Sequence, residues 1–204
     1  MPPNKKRSHP TRTTLIARVI ELLETTSPED IKVEDVLGPT GISVGSLYHH
    51  FTDLSDLIDQ AIITRYSADI DVSIAALTEV VRNSTDAKSL LAGFRENTVR
   101  TQSPDRGAHR FHRAQTMTRA VTNERFREGL APEQQRLTDA LADLWRELQD
   151  RGMFDPNLDP QVGSVFIQAY SMGLIVNDVS SEPIDPDAYV AFISRMLERT
   201  FLAD

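Results

Sequence analysis

A chain of 204 residues, 40% hydrophobic and 25% charged, is long enough to bury a substantial core, as one large domain or two small ones, and has the composition of a soluble globular protein. It has no cysteine, which excludes disulfides and thiolate chemistry and suits a reducing cytoplasm. The formal charge of -8 disfavours a nucleic-acid partner, yet residues 1–50 set six basic side chains against six acidic ones, so the excess negative charge lies further on and the first quarter can meet a polyanion. No apolar run is long enough to cross a bilayer, and Lys5, Lys6 and Arg7 are not followed by the apolar stretch a signal peptide needs.

Residues 1–10 are polar, contain three prolines and carry the Lys5-Lys6-Arg7 cluster, which reads either as a flexible basic arm reaching for phosphates or as a solubilising tail. Apolar residues then recur at Leu15, Ile16, Val19, Ile20, Leu22 and Leu23, predicting a first helix from Thr11 or Thr13 to about Thr26, stopped by Ser27-Pro28. Further helices are predicted over 32–40, over 43–50, and from Asp53 to about Val81. Gly41 can take the left-handed conformation that ends the second helix, and the Ser43 hydroxyl can cap the third. Two helices joined by a tight, glycine-containing turn form a helix-turn-helix. Within it Ile42, Leu47 and Phe51 fall inward and leave Val44, Gly45, Ser46, Tyr48 and His49 outside. Small residues at 44–46 let a helix backbone approach a groove floor, and a tyrosine or histidine beside them can hydrogen-bond phosphate oxygens. The plainer reading is a helical hairpin with a solvated aromatic.

The stretch GISVGSLYHHF at 41–51, with VEDVLGPTG before it and LSDLIDQAI after it, closely resembles the DNA-binding signature of the TetR/AcrR family of bacterial transcriptional regulators, over roughly residues 11–66. The resemblance implies an all-α fold of about nine helices: a basic arm (1–10), a three-helix helix-turn-helix DNA-binding domain (11–56), and a helical effector-binding and dimerisation domain (57–204). It implies double-stranded DNA as a partner, with Ser43, Val44, Gly45, Ser46, Tyr48 and His49 at the contact and Lys5, Lys6, Arg7, Arg12 and Lys32 on phosphates. Three positions depart from the family pattern. Gly38-Pro39 stands where helix formers are usual and should bend the second helix or end it early. Lys32 replaces a common threonine cap, and Leu54 replaces a phosphate-contacting lysine.

Beyond residue 81 the chain reads as helices with short connections, over 84–101, 108–128, 131–151, 159–179 and 185–202. No strand or hairpin pattern interrupts them. Two have wide apolar faces: Val162, Val165, Phe166, Ala169, Met172, Gly173 and Val176 on one, and Tyr189, Val190, Ile193, Met196, Leu197 and Phe201 on the last. These are either intramolecular core or, as the resemblance implies, the four-helix interface of a homodimer able to read a near-palindromic operator.

In the family the body encloses a small-molecule pocket. Phe94, Met117, Val121, Leu141, Trp145, Phe166, Tyr170 and Asn177 are candidate walls for a mostly apolar effector site, although at helical spacing most such residues are simply core. The segment 106–127 carries Arg106, His109, Arg110, His112, Arg113, Arg119, Arg125 and Arg127 against Glu124 alone. These either bind an anionic effector or pair with the acidic fourth helix at Asp53, Asp56 and Asp59. His109 and His112 lack a third ligand within a turn, so no metal site is expected, and no cofactor. No phosphate-cradling glycine loop or activated nucleophile supports an enzyme. The expectation is a cytoplasmic, ligand-responsive transcriptional repressor acting as a homodimer. The alternative is a module of the same fold that has lost operator binding and serves as a ligand- or protein-binding unit.

Overall fold

The computed structural model describes residues 10–201, with the backbone alone at Phe201, and every regular element among them is helical. Lys5, Lys6, Arg7 and the rest of the expected arm through residue 9 lie outside the described residues, as does the Phe201 side chain. The helices are α1 Pro10–Leu22, α2 Val33–Thr40, α3 Val44–His50, α4 Leu54–Asn83, α5 Ala87–Gln102, α6 Gly107–Thr122, α7 Glu124–Asp150, α8 Pro160–Gly173, α9 Ile175–Asp178 and α10 Pro186–Phe201, with a short 3-10 helix at Pro104–Arg106. No described helix is long and apolar enough to cross a membrane. The chain divides into two units between Ala68 and Asp69, inside α4. The start of α4 buries Leu57, Ile58, Ala61 and Ile62. It is also tied back toward α1, by Arg12 donating to Gln60 Oε1 (3.0 Å) and by Arg65 facing Glu24 (3.8 Å).

In the first unit, α2 ends as the glycine predicts: Gly41 has φ 66° and its N–H reaches Leu37 O. Pro39 does not end α2 early, because the helix continues to Thr40. A proline there removes the N–H that would bond the Asp35 carbonyl, and Arg18 Nε from α1 donates to that oxygen instead (3.2 Å). At the other end of α2, Lys32 has no side-chain acceptor to offer the first turn. The Asp35 carboxylate supplies the reverse half of a capping box by accepting the Lys32 N–H (2.9 Å).

In the second unit, the helix expected over 108–128 stops at Thr122, and α7 starts at once behind Asn123, whose Oδ1 accepts the Phe126 N–H (3.0 Å). Pro132 therefore lies inside a helix instead of opening one. Burying Phe126 and Leu130 contributes roughly 1.5–3 kcal/mol each, which offsets the ~3 kcal/mol cost of an interior proline. The helix closes at Gly152 (φ 68°), and the Met153 N–H returns to Leu148 O (2.8 Å). The helix expected over 159–179 is broken at Leu174 into α8 and α9. The core of this unit gathers Val81, Leu90, Trp145, Leu148, Phe154, Ile193 and Leu197, with Trp145 stacked on Phe154 at 4.9 Å.

Candidate nucleic-acid interface and ligand cavity

The surface of α3 is built by its cap and its two anchors. Ser43 is extended, and its Oγ accepts the Ser46 N–H (3.2 Å) while lying 3.1 Å from Ser46 Oγ. Leu47 and Phe51 are buried and fix the rotation of the helix. Val44 and Tyr48, one turn apart, are each left 51% exposed, and Gly45 and His49 are exposed beside them. Lys32 is exposed too. Arg12 is engaged within the unit: besides its bond to Gln60, its guanidinium lies over the Phe51 ring at 5.3 Å.

The second unit holds a cavity of about 510 Å3. Val72, Leu77, Leu137, Leu141 and Ile167 give it apolar walls; Arg100, Arg106, His109, Arg110 and Arg113 give it a cationic side, with Asp105 among them. Of the residues expected around an effector, Leu141 and Tyr170 line this cavity. Phe94, Trp145 and Tyr170 instead enclose a separate space of about 20 Å3, room for roughly one water. Asn177 borders a third space, and its Oδ1 accepts the Ile184 N–H (2.8 Å). Val121 and Phe166 point to solvent, and Met117 lines none of these spaces.

The strongest polar contact near the cavity is one the sequence did not signal. Arg110, on the first turn of α6, is buried and grips Asp178 at the end of α9 through Nε and Nη2, both at 2.6 Å. Its Nη1 donates to the carbonyls of Thr101 and Ser103 (3.3 and 3.2 Å). The hydrogen bonds and charge of Arg110 hold the Asp178 carboxyl below its ordinary pKa, against partial burial. Arg110 is committed to Asp178, while Asp53 accepts the Asp56 N–H (2.6 Å) and Asp56 accepts the Thr52 N–H (2.9 Å). Burial pushes the His109 pKa down, reinforced by Arg106, Arg113 and His112 and opposed by Asp69 at 3.8 Å, so the ring is neutral at pH 7. Among the described residues no group of His, Asp and Glu side chains could hold a metal ion.

The two apolar faces differ in what covers them. On α8 and α9, Val162 (66%), Val165, Phe166, Ala169, Gly173 and Val176 (74%) are exposed, with Met172 half-buried. On α10, Ile193 and Leu197 are core and Tyr189 and Met196 pack against that core, so this part of the expected dimer face is intramolecular. Tyr189 Oη also donates to Tyr170 O (3.4 Å). The exposed aromatic of α10 is Phe192 (66%), a neighbour of Ile193 that the apolar periodicity passes over.

Residues 113–202 match the family described as BetI-type transcriptional repressor, C-terminal. A comparison with curated protein sequences gives no match. Among solved structures, Salmonella enterica GusR superimposes with a TM-score of 0.69 at 19% identity, over 95% of this chain and 96% of that one. A Mesorhizobium loti protein described as a TetR-family transcriptional regulator gives 0.70 at 14% identity, over 96% of each chain. A Saccharomonospora viridis protein described as a transcriptional regulator, solved in complex with choline, gives 0.66 at 17% identity, over 95% of this chain and 98% of that one. At these identities the likeness is one of fold, to which the match over residues 113–202 adds sequence. Taken with the capped, outward-facing α3, these findings show that the chain has the fold of TetR-family transcriptional regulators and that its residues 113–202 are similar to the C-terminal part of BetI-type repressors.

Proposed function

We propose that the protein is a ligand-responsive repressor that binds a near-palindromic operator as a homodimer. The observation that carries the reading is α3: two anchors are buried, the cap is satisfied, and Val44, Gly45, Tyr48 and His49 are turned outward on a helix that small residues make narrow. Tyr48 is suited to a phosphate, while Val44 and Ser46 are suited to a base edge or a thymine methyl. Lys5, Lys6, Arg7 and Lys32 add cationic contacts with the phosphates.

A dimer is favoured by the exposed apolar side chains of α8 and α9, Val162, Val165, Phe166 and Val176, and by the exposed Phe192 of α10. The effector acts through the cavity of the second unit; its size falls in the range of small-molecule pockets, and the choline complex of the Saccharomonospora protein supports a small molecule as the signal. Such a role is exercised in the bacterial cytoplasm, on the chromosome.

The test is selection of bound duplexes from a random pool by the full-length protein, followed by titration of the winner across salt concentrations. A palindromic consensus with a steep salt slope is expected. Absence of enrichment would refute operator binding and favour a ligand-binding module of the same fold.

A further inference from the structure

We infer that the cavity of the second unit selects an anionic amphiphile, a carboxylate or similar oxyanion carried on an apolar body. The inference rests on the ligand-responsive reading above and names the chemical class of that ligand.

The charge follows from the spacing. Arg106, His109, Arg110 and Arg113 stand at i, i+3, i+4 and i+7 along the 3-10 turn and α6, which puts all four on one face, and all four line the cavity. Arg100 joins them from α5. Arg110 is matched by Asp178, and Asp105 is the one acid among the described lining residues, with its carboxyl held by Ser103. Four arginines thus line the cavity against that one lining acid, and guanidinium is the group that binds carboxylates through paired, parallel hydrogen bonds. The other walls are apolar, from Val72 and Leu77 on α4, Leu137 and Leu141 on α7, and Ile167 on α8. Gln102, buried at the same cavity, has an amide oxygen without a hydrogen-bond partner, an acceptor that suits a hydroxyl or N–H on the ligand's body rather than its oxyanion.

The opposite ligand charge fits poorly. A cationic head would lie against like charge, and it is best held by aromatic faces. The aromatic cluster of this unit, Phe94, Trp145, Phe154 and Tyr170, encloses only about 20 Å3, too little for a quaternary ammonium group.

The probes are octanoate, 1-octanol and octyltrimethylammonium, which share one apolar body and differ in head charge. Each is titrated into the full-length protein at constant ionic strength, with binding read by the shift in Tm and by fluorescence of Trp145. Octanoate is expected to bind saturably and about tenfold or more tighter than octanol, with the cation weakest. Arg106→Gln combined with Arg113→Gln should remove that advantage while leaving octanol binding unchanged. If octanol or the cation binds as tightly as octanoate to the wild-type protein, the anionic preference is wrong, while the cavity stands as a ligand site. If none of the three binds saturably, the ligand-responsive reading of the cavity falls with it. The wild-type ranking decides on its own should the double variant fold poorly.

Discussion

Replacing Asp178 with asparagine tests whether the grip on Arg110 is a structural clamp of the second unit. The Arg110 side chain is only 4% exposed, whereas that of Asp178 is 22% exposed, so the substitution strands a buried guanidinium more than it frees a buried carboxylate. Removing one partner of a fully buried pair costs about 3–5 kcal/mol. Asparagine keeps one acceptor, the carbonyls of Thr101 and Ser103 still accept from Arg110, and solvent screens part of the pair, so the expected loss is about 2 kcal/mol. The assay is urea unfolding followed by Trp145, the sole tryptophan, which lies in the core of this unit. With a urea slope of roughly 2 kcal/mol/M, the midpoint should fall by about 1 M. The pH dependence supplies an internal control. The Asp178 pKa is depressed in the folded state, so its contribution is fully present above the unfolded value of 3.8 and is lost as pH falls through the folded one. Wild type and variant should therefore converge in acid. A midpoint change under roughly 0.3 M at neutral pH, or a difference that persists unchanged at about pH 2, would refute the clamp.

Four further outcomes are expected. Tyr48→Ala should weaken binding to specific and random duplexes alike, whereas Val44→Ala should change the selected sequence; equal losses everywhere would count against α3 as the reading helix. Val165→Glu places like charges across the proposed twofold and should convert a dimer to a monomer in sedimentation velocity, without lowering the stability reported by Trp145. Because burial lowers the His109 pKa below 6.5, the unfolded chain takes up more protons on acidification. Wild type should lose stability relative to His109→Gln as pH falls through 6.5, and the ring should titrate below 6.5 by NMR. Gly41→Ala forces a Cβ into a left-handed position and should cost the first unit about 1 kcal/mol, measured by urea unfolding followed by circular dichroism.

The helix-turn-helix was legible because its rules are local. Gly41, Ser43, Leu47 and Phe51 each act within a few residues of their partners, and their spacing alone gives the cap, the turn and the inward face. Where tertiary packing decides, the sequence misleads. Pro132 looks like a helix start until Phe126 and Leu130 are found buried ahead of it, and Pro39 looks like a stop until Arg18 is found on the carbonyl it frees. On α10 the apolar stripe selects Ile193 and Leu197, which are core, and passes over the exposed Phe192, because periodicity marks a hydrophobic face without saying what covers it. Arg110 and Asp178 lie 68 residues apart, and no local pattern relates them.

The shortness of α3 has a genetic consequence. Seven residues are too few to hold a helix in water, since isolated helices below about 12–15 residues are marginal. Its order is borrowed from the packing around Leu47 and Phe51, so the fraction of molecules presenting an ordered α3 follows the melting of the first unit. If the chain represses from an operator as proposed, a screen for derepressed alleles should return two kinds. Changes at Val44 or Tyr48 should derepress at every temperature, while changes such as Leu47→Ala should repress when cool and fail when warm.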